Sequence, residues 1–516
     1  MRNLVIVEAA GKVDALRSRL KSIGLHADVV ATVGHVADNP RSLNPIELDS
    51  DLRETAYAFR EDRQGVIDKI RRAAFGADRI YVATDDDQEG DVIAHDVARL
   101  LSDYADHLYR VRLRALTESE LKESFGGTLS RDFDVPAHHG ICRRIVDRAI
   151  GAAFTLVDEH SAIPVGRVQS SLLASLKESP PDVGHFNAAI RMTDGKVLWA
   201  NIPVATKAGL DRASELAELA AQGRVKLLEA VERDEPVARP WGYEEVIAEA
   251  SIRLHVDLYQ AADVFQQAYE RGLVTYPRVR ANGFTRDAVE IAAALAEQNR
   301  CGFDGAYLPL RESSDIQGRA HECPRPVDED MLLGRPLAVL DLPEALAVLI
   351  ARNVIECGQL ARVRKVRVGV DDEELTFSAA LTQARKPWKT AEPDRGFVAT
   401  PRPVALLRHM AREQLGRPST VVGHVMKFMQ RGLLEESAVG MTLNARGERW
   451  LAHAASVGFH PDTSARMEEA FSAPMTDPHA RAREILSGHA MLDAVRNKAL
   501  ATGVAAVPDE ACPEPF

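Results

Sequence analysis

The chain is poor in the residues that staple a fold or span a membrane. Its 516 residues include five cysteines, Cys142, Cys301, Cys323, Cys357 and Cys512. No two of them form a C-x-x-C pair, so a zinc ribbon lacks its ligands and a disulfide framework has no support. Reduced thiols point to the cytoplasm. Aromatic residues make up only 5% of the chain. No apolar run reaches the length of a membrane span, and MRNLVIVEAA lacks the pattern of a signal peptide. An excess of basic charge is missing too. A net charge of −12 and a pI near 5.8 argue against a protein whose whole surface coats nucleic acid. They leave room for one groove lined with arginine. There is no internal repeat and no low-complexity segment, and VPDEACPEPF (507–516) reads as a disordered tail.

What is present is ample apolar material, 46% of the chain, enough for three or four domains. LVIVE (4–8), DVVATVG (28–34), RIYVAT (79–84) and HLYRVRL (107–113) read as strands. Helices over about 12–22, 62–74 and 92–101 alternate with them, and Thr117 starts another with Glu120 at capping-box spacing. Such alternation implies a parallel sheet covered on both faces, with ligands beyond the carboxyl ends of its strands. Residues 128–179 read as helical and rich in arginine. HFNAAIRM, KVLWANIPV and VKLLEAV then alternate like strands, and RVRKVRVGV and LTFSAALTQ, far downstream, read as completing the same sheet. Between these halves lies a helical segment of about 244–352, flanked by ERDEPVARPWG and ARKPWKTAEPDRG, which read as linkers. From Thr400 onward the pattern is helical.

Several stretches carry chemistry. ATDDDQEGD (83–91) places Asp85, Asp87 and Glu89 at alternate positions, one side of an extended segment. Converging carboxylates repel unless a cation such as Mg²⁺ sits among them, although an acidic turn capping a helix at Val92 has the same composition. In VEAAGK (7–12), Glu8 and Lys12 flank a tight strand-to-helix turn whose helix start attracts anions. In GLVTYPRVRANG (272–283), Gly272 ends a helix, and Pro277 holds Tyr276 extended, so that Tyr276 and Arg278 point the same way. A phenol is a poor nucleophile until a cation favours its anion, a role open to Arg278. On the preceding helix, Gln266 and Glu270 share one side. AHECPRP (320–326) offers His321 for proton transfer and Arg325 as a phosphate clamp. RRIVDRAIG holds Arg143, VGRVQSS holds Arg167 and Gln169, and LGRPST sets Arg417 before Ser419 and Thr420, which read as caps of the next helix. Each stretch alone also has a structural reading.

Their order is more specific. VEAAGK, TVGHVAD, ATDDDQEGD, RRIVDRAIG, VGRVQSS, QQAYERGLVTYPR, AHECPRP and LGRPST, spread over about residues 3–470, closely resemble the type IA DNA topoisomerases, the topoisomerase I and III family. The chain looks like the family core without the zinc-binding tail of many members. The resemblance implies a multidomain α/β plus α fold forming a toroidal ring. It implies a toprim domain with a Rossmann-like parallel sheet at 1–127 that binds metal. A helical DNA-gate domain at 128–182 plus 400–516, a β-rich arch at 183–243 plus 361–399, and a helical domain carrying the tyrosine at 244–360 complete it. It implies that Tyr276 attacks a phosphodiester of single-stranded DNA without ATP, forming a 5′-phosphotyrosyl link that later reseals. Arg278, Lys12, Glu8 and His321 would assist. Glu8, Asp85, Asp87 and Glu89 would hold Mg²⁺, with Mn²⁺ as an alternative and no zinc. Arg143, Arg167, Gln169, Gln266, Glu270, Arg325, Arg417 and Ser419 would contact the strand. The substrate implied is a single-stranded segment of underwound or catenated duplex, handled by a monomer away from membranes, with a helicase or single-strand-binding protein as the assisting partner.

The chain also departs from the family pattern. VESPGK is VEAAGK here, and DREGE is DQEGD, with Gln88 and Asp91 at the changed positions. YxRTDS is YPRVRA, changed over residues 279–281, and AHEAIRP is AHECPRP. An intact nucleophile and acidic set favour an active topoisomerase. The altered flanks keep a second reading open, a weakened relative that clamps single-stranded DNA. A toprim nuclease or primase leaves GLVTYPR, GRVQS and GRPST unexplained.

Overall fold

The computed structural model describes residues 1–158, 161–311, 322–390, 393–437 and 439–501. Near the N-terminus, four parallel strands form a sheet in the order Ala27–Ala31, Asn3–Val7, Arg79–Asp85, Leu108–Leu113. Side chains alternate between its faces. Leu4, Ile6, Ile80 and Val82 pack with Ile67, Ile70, Ala94 and Val97 of the helices Gln64–Ala74 and Gln88–Leu100. Val5, Val7, Tyr81 and Ala83 face Leu16, Leu20 and Leu121 on the other side. Burial on both faces is why these strands read as near-continuous apolar runs. At about 1.5–3 kcal/mol for each fully buried aliphatic side chain, the two layers fix the strand ends from which Glu8 and Asp85 emerge.

A second sheet has six strands in the order Lys226–Pro236, Leu360–Val370, Glu373–Ala380, Val197–Val204, Gly184–Arg191, Gly396–Ala399. Trp199 pairs with Ser378, so strands before and after the helical insert do join in one sheet. Helix Lys207–Ala221 covers one face, with Leu216 and Ala220 against Val366, Val368 and Phe377. One expected linker is shorter than it reads. The charges of ERDEP belong to the edge strand Lys226–Pro236, where Glu232 bonds Arg364 at 2.7 Å and Glu235 bonds Lys365 at 2.8 Å. Charge along an edge strand keeps its open side from pairing with other chains.

The inserted helices Tyr243–Leu254, Leu258–Glu270, Arg286–Gln298 and Leu342–Cys357 share one core with Arg167–Glu178, Arg402–Arg412 and Val421–Gln430. A separate core joins helix Asp134–Phe154 to the C-terminal helices through Ile145, Ala149, Met467, Phe471 and Ile485. Two hairpins interrupt the expected all-helical stretches, Leu156–Asp158 with Ser161–Ile163 and Leu434–Ser437 with Gly440–Leu443. Among the described residues, no helix is long and apolar enough to cross a membrane. His321 and the tail 507–516 lie outside the described residues.

Candidate active site

The acidic turn is built differently from the extended segment that its spacing suggests. Helix Gln88–Leu100 starts inside it, not at Val92. Asp85 is the last strand residue, Asp87 caps the helix by accepting from the Gly90 N–H at 2.6 Å, and Glu89 lies in the first turn. A side chain at Gly90 would put its Cβ 2.3 Å from the Asp85 carbonyl oxygen, so the turn closes only around glycine. The carboxylates nevertheless act on one another. Burial, then the charges of Asp85 and Asp87, push the Glu8 carboxyl well above the usual range, with Glu89 adding and Lys12 opposing.

Lys12 is fully buried. It donates to Asp85 Oδ1 and lies 4.4 Å from the centre of the Tyr269 ring. The Tyr269 hydroxyl donates to the same oxygen at 3.4 Å. Tyr269 reads from sequence as part of an apolar helix face. Its ring is indeed buried, but its oxygen belongs to the site, and the spacing of the helix carries no sign of that. Gly11 is needed for the same junction. The Glu270 carboxylate fills the space of a Cβ there, 1.9 Å from where one would stand, and accepts from Gln266 at 2.9 Å.

Tyr276 is 3% exposed and donates its hydroxyl proton to Asp87 Oδ2 at 2.5 Å. Its ring meets Tyr269 edge-on at 5.6 Å, and its N–H bonds the Arg114 carbonyl at 3.0 Å. Arg278 reaches Glu89 at 3.7 Å. Arg278 does favour the phenolate, as expected, but it is outweighed. Burial and the carboxylates of Asp87 and Asp85 raise the Tyr276 pKa well above its ordinary value and outweigh Arg278. Asp87 is shifted the opposite way. Burial pushes its pKa up, but Arg278, the Gly90 N–H and the Tyr276 hydroxyl hold it below its ordinary value. The site thus lowers the pKa of the Asp87 carboxyl beside the phenol and raises that of Glu8.

The basic stretches meet in a cavity of about 400 Å³. Arg143, Arg167, Gln169, Arg417 and Ser419 all line it, with Gln88, Glu89 and His424. Helix Asp134–Phe154 sorts its arginines by spacing of four. Arg143 and Asp147 face the cavity wall, where both guanidinium groups, Arg143 and Arg167, bond Glu468 at 2.6 Å. Arg144 grips Glu54 at 2.6 Å, and Arg148 grips the carbonyls of Ile46, Pro40 and Ser42, tying the helix to the first sheet's long loop. Gln169 is clasped between the Arg431 guanidinium at 2.6 Å and the His424 carbonyl at 2.9 Å. Ser419 and Thr420 do not cap the next helix. Thr420 occupies the cap position but makes no side-chain capping bond.

Not all expected strand residues are in this cavity. Gln266 and Glu270 sit at the Gly11 turn instead, because their side of the helix packs on the first sheet's domain. Arg325 is buried, bonds Glu322 at 2.8 Å, and lines a second cavity of about 320 Å³ with Tyr276, Arg114 and Arg311. Gln88 accepts from Arg143, and Asp91 meets the buried Arg110 at 2.9 Å, so two of the departures from the family pattern have partners of their own.

Among the described residues, no three acidic, histidine or cysteine side chains stand close enough to cage a metal ion. Lys12 occupies Asp85, and Tyr276 occupies Asp87. The donor set still fits a hard cation. Glu8 Oε2 is buried with no hydrogen-bond partner, and burial and then the carboxylates of Asp85, Asp87 and Glu89 raise the pKa of its carboxyl. Oxygen ligands of this kind suit Mg²⁺, which keeps waters and needs few carboxylates.

A family model for DNA topoisomerase matches residues 134–397, and one for the Toprim domain matches residues 3–116. DNA topoisomerase 1 of Aquifex aeolicus (strain VF5) is 22% identical over 483 residues, 84% of this chain and 87% of that protein. DNA topoisomerase 1 of Campylobacter jejuni is 25% identical over 358 residues, 63% of this chain and half of that one. The full-length topoisomerase I structure from Thermotoga maritima superposes with a TM-score of 0.65 at 18% identity, covering 95% of this chain and 90% of that one, and shows the same toroidal, mixed α/β fold. The first match, just over half of the chain, spans most of the six-stranded sheet and the segment that carries Tyr276, the second spans the acids facing it, and the chain therefore belongs to the type IA DNA topoisomerases.

Proposed function

We propose that Tyr276 cleaves single-stranded DNA by transesterification, without ATP, and that the break is resealed by the reverse step after strand passage. The observation that carries this reading is the buried Tyr276 hydroxyl resting on Asp87 at 2.5 Å, between the acidic set and Arg278. The Tyr276 oxygen attacks phosphorus as its proton passes to Asp87. The bond from phosphorus to the 3′-oxygen breaks, and Glu8, whose carboxyl is pushed above its ordinary range by burial and the acids around it, gives that oxygen a proton. A 5′-phosphotyrosyl link and a free 3′-hydroxyl result. One phosphodiester replaces another, so resealing needs no added energy. Two carboxyls whose pKa values are pushed apart suit the two proton roles. Arg278 and Lys12 supply positive charge where the phosphate gains negative charge. Mg²⁺ among Glu8, Asp85, Asp87 and Glu89 would neutralise the acids and let a phosphate approach.

Arg143, Arg167, Arg417 and Ser419 would track the strand through their cavity, and Arg325 would contact it beyond Tyr276. We assign the metal to residues 1–127, the DNA gate to 128–182 and 400–516, the arch to 183–243 and 361–399, and the tyrosine to 244–360. A monomer acting on underwound or catenated DNA, assisted by a helicase or single-strand-binding protein, fits an enzyme that grips one strand. The free thiols of Cys142, Cys301, Cys323 and Cys357 fit a cytoplasmic setting. The test is covalent trapping. Protein is mixed with end-labelled single-stranded oligonucleotide and Mg²⁺, then denatured. The expected result is labelled protein that disappears in Tyr276→Phe. Tight binding without adduct across metals and sequences would overturn the reading in favour of a non-cleaving clamp.

A further inference from the structure

We infer that Glu468, backed by the Phe471 ring, is a positioning residue that sets the arginines of the strand path. The inference rests on the reading of that cavity as the path of the DNA strand. Both residues lie on helix Thr463–Ser472, beyond the 134–397 match and outside every stretch singled out from the sequence. The carboxylate is divided between two guanidinium groups. Its Oε1 accepts from Arg167 at 2.6 Å, and its Oε2 accepts from Arg143 at 2.6 Å. Ser464 takes a second bond from Arg167 at 3.3 Å. The Phe471 ring lies 4.8 Å from the Arg143 guanidinium and 5.1 Å from that of Arg167. Arg143, Arg167 and Arg417 line the cavity, whereas Glu468 and Phe471 stand behind them.

Four guanidinium groups around one cavity, those of Arg143, Arg144, Arg167 and Arg417, repel one another. Unheld, each long side chain would also rotate freely, and ordering it on binding would cost affinity. A carboxylate between them offsets the repulsion and fixes two planar forks, with Asp147 holding Arg167 from the other side at 2.9 Å and Gln88 accepting from Arg143.

The two roles differ in sign, which makes the inference testable. Glu468→Gln removes a negative charge beside the strand, so a field effect alone would tighten binding. Its amide can accept from one arginine only, so lost orientation weakens binding instead. The experiment uses the full chain, with Tyr276→Phe to measure binding of single-stranded oligonucleotide and with Tyr276 intact to measure trapping. The expected result for Glu468→Gln is binding weakened about tenfold. The half-saturation concentration for trapping should rise in step, with less effect on the maximal rate. Phe471→Leu, which keeps an apolar side chain in the core, should weaken binding about threefold in the same way. A folded Glu468→Gln protein that binds equally or more tightly would overturn the inference alone. A parent chain that binds no single strand would overturn it together with the function on which it rests.

Discussion

Replacing Gly90 with alanine sets two effects of opposite sign against each other at the catalytic turn. Gly90 lies inside helix Gln88–Leu100, where glycine to alanine ordinarily stabilises by about 1 kcal/mol. Here the new methyl would stand 2.3 Å from the Asp85 carbonyl oxygen and 3.1 Å from the Asp85 nitrogen, against 3.4 Å or more for ordinary contact. Those atoms are backbone, pinned in register with Leu113 of the neighbouring strand, so no side chain can swing away. Overpacking of this kind costs about 1–3 kcal/mol, rising when backbone must move. The clash should win, with a net loss of roughly 1–2 kcal/mol and a shift of Asp85 and Asp87 away from Tyr276. A displacement near 1 Å at a reacting centre costs about a hundredfold in rate, so trapping should fall by that order. Hydrogen exchange along the strand Arg79–Asp85 reads the local stability, and the trapping time course reads the chemistry. Gly65→Ala is the control, since nothing stands within 4 Å of its Cβ and it should stabilise its helix slightly. A Gly90→Ala protein as protected as Gly65→Ala, trapping at the parent rate, would refute the assignment of the turn.

Glu468 has its carboxyl pKa drawn down to about 2 because three arginines outweigh its burial, against an ordinary 4.5. A depressed acid contributes stability above 4.5 that is lost as pH falls towards 2, so acid unfolding of the C-terminal helices should flatten in Glu468→Gln, measured by circular dichroism. Glu8 is shifted the other way, so its proton is lost only as pH rises well past 4.5. Trapping should fall on that rising limb, and in Glu8→Gln the limb should vanish together with most of the rate. Tyr269→Phe removes a hydroxyl from Asp85 but keeps the ring under Lys12, so trapping should drop by about tenfold, the lower end of what one hydrogen bond to a charged group contributes. Removing Mg²⁺ with a chelator should abolish trapping in the parent chain, and calorimetry should show weaker Mg²⁺ binding in Glu8→Gln.

Much of the site was legible in the chain. Glu8 and Asp85 follow apolar strands, and parallel strands end on one edge, so their meeting was foreseeable. Tyr276, Arg278 and Gly272 sit in a run whose local geometry Pro277 and the helix end dictate, and Gly272 does take a positive φ of 73°. The strands on either side of the helical insert alternate strongly enough to be assigned to one sheet across about 180 residues by pattern alone. The acidic turn reads as extended because alternate spacing looks the same in an extended segment and in a strand that breaks into a capped helix. ERDEP was misread because an edge strand, open to water on both faces, is charged like a linker.

The sequence by itself determined which groups could do chemistry and in what order they lie, because strand alternation, helix caps and turn residues act over a few positions. Only the tertiary structure decided how those groups are charged and what holds them. Tyr276 is kept neutral by burial and by Asp87, 189 residues away in sequence. Arg143 and Arg167 are held by Glu468, about 300 residues beyond either. Desolvation and ion pairing depend on distance in space, and no local pattern records which distant carboxylate will arrive beside a given arginine or phenol.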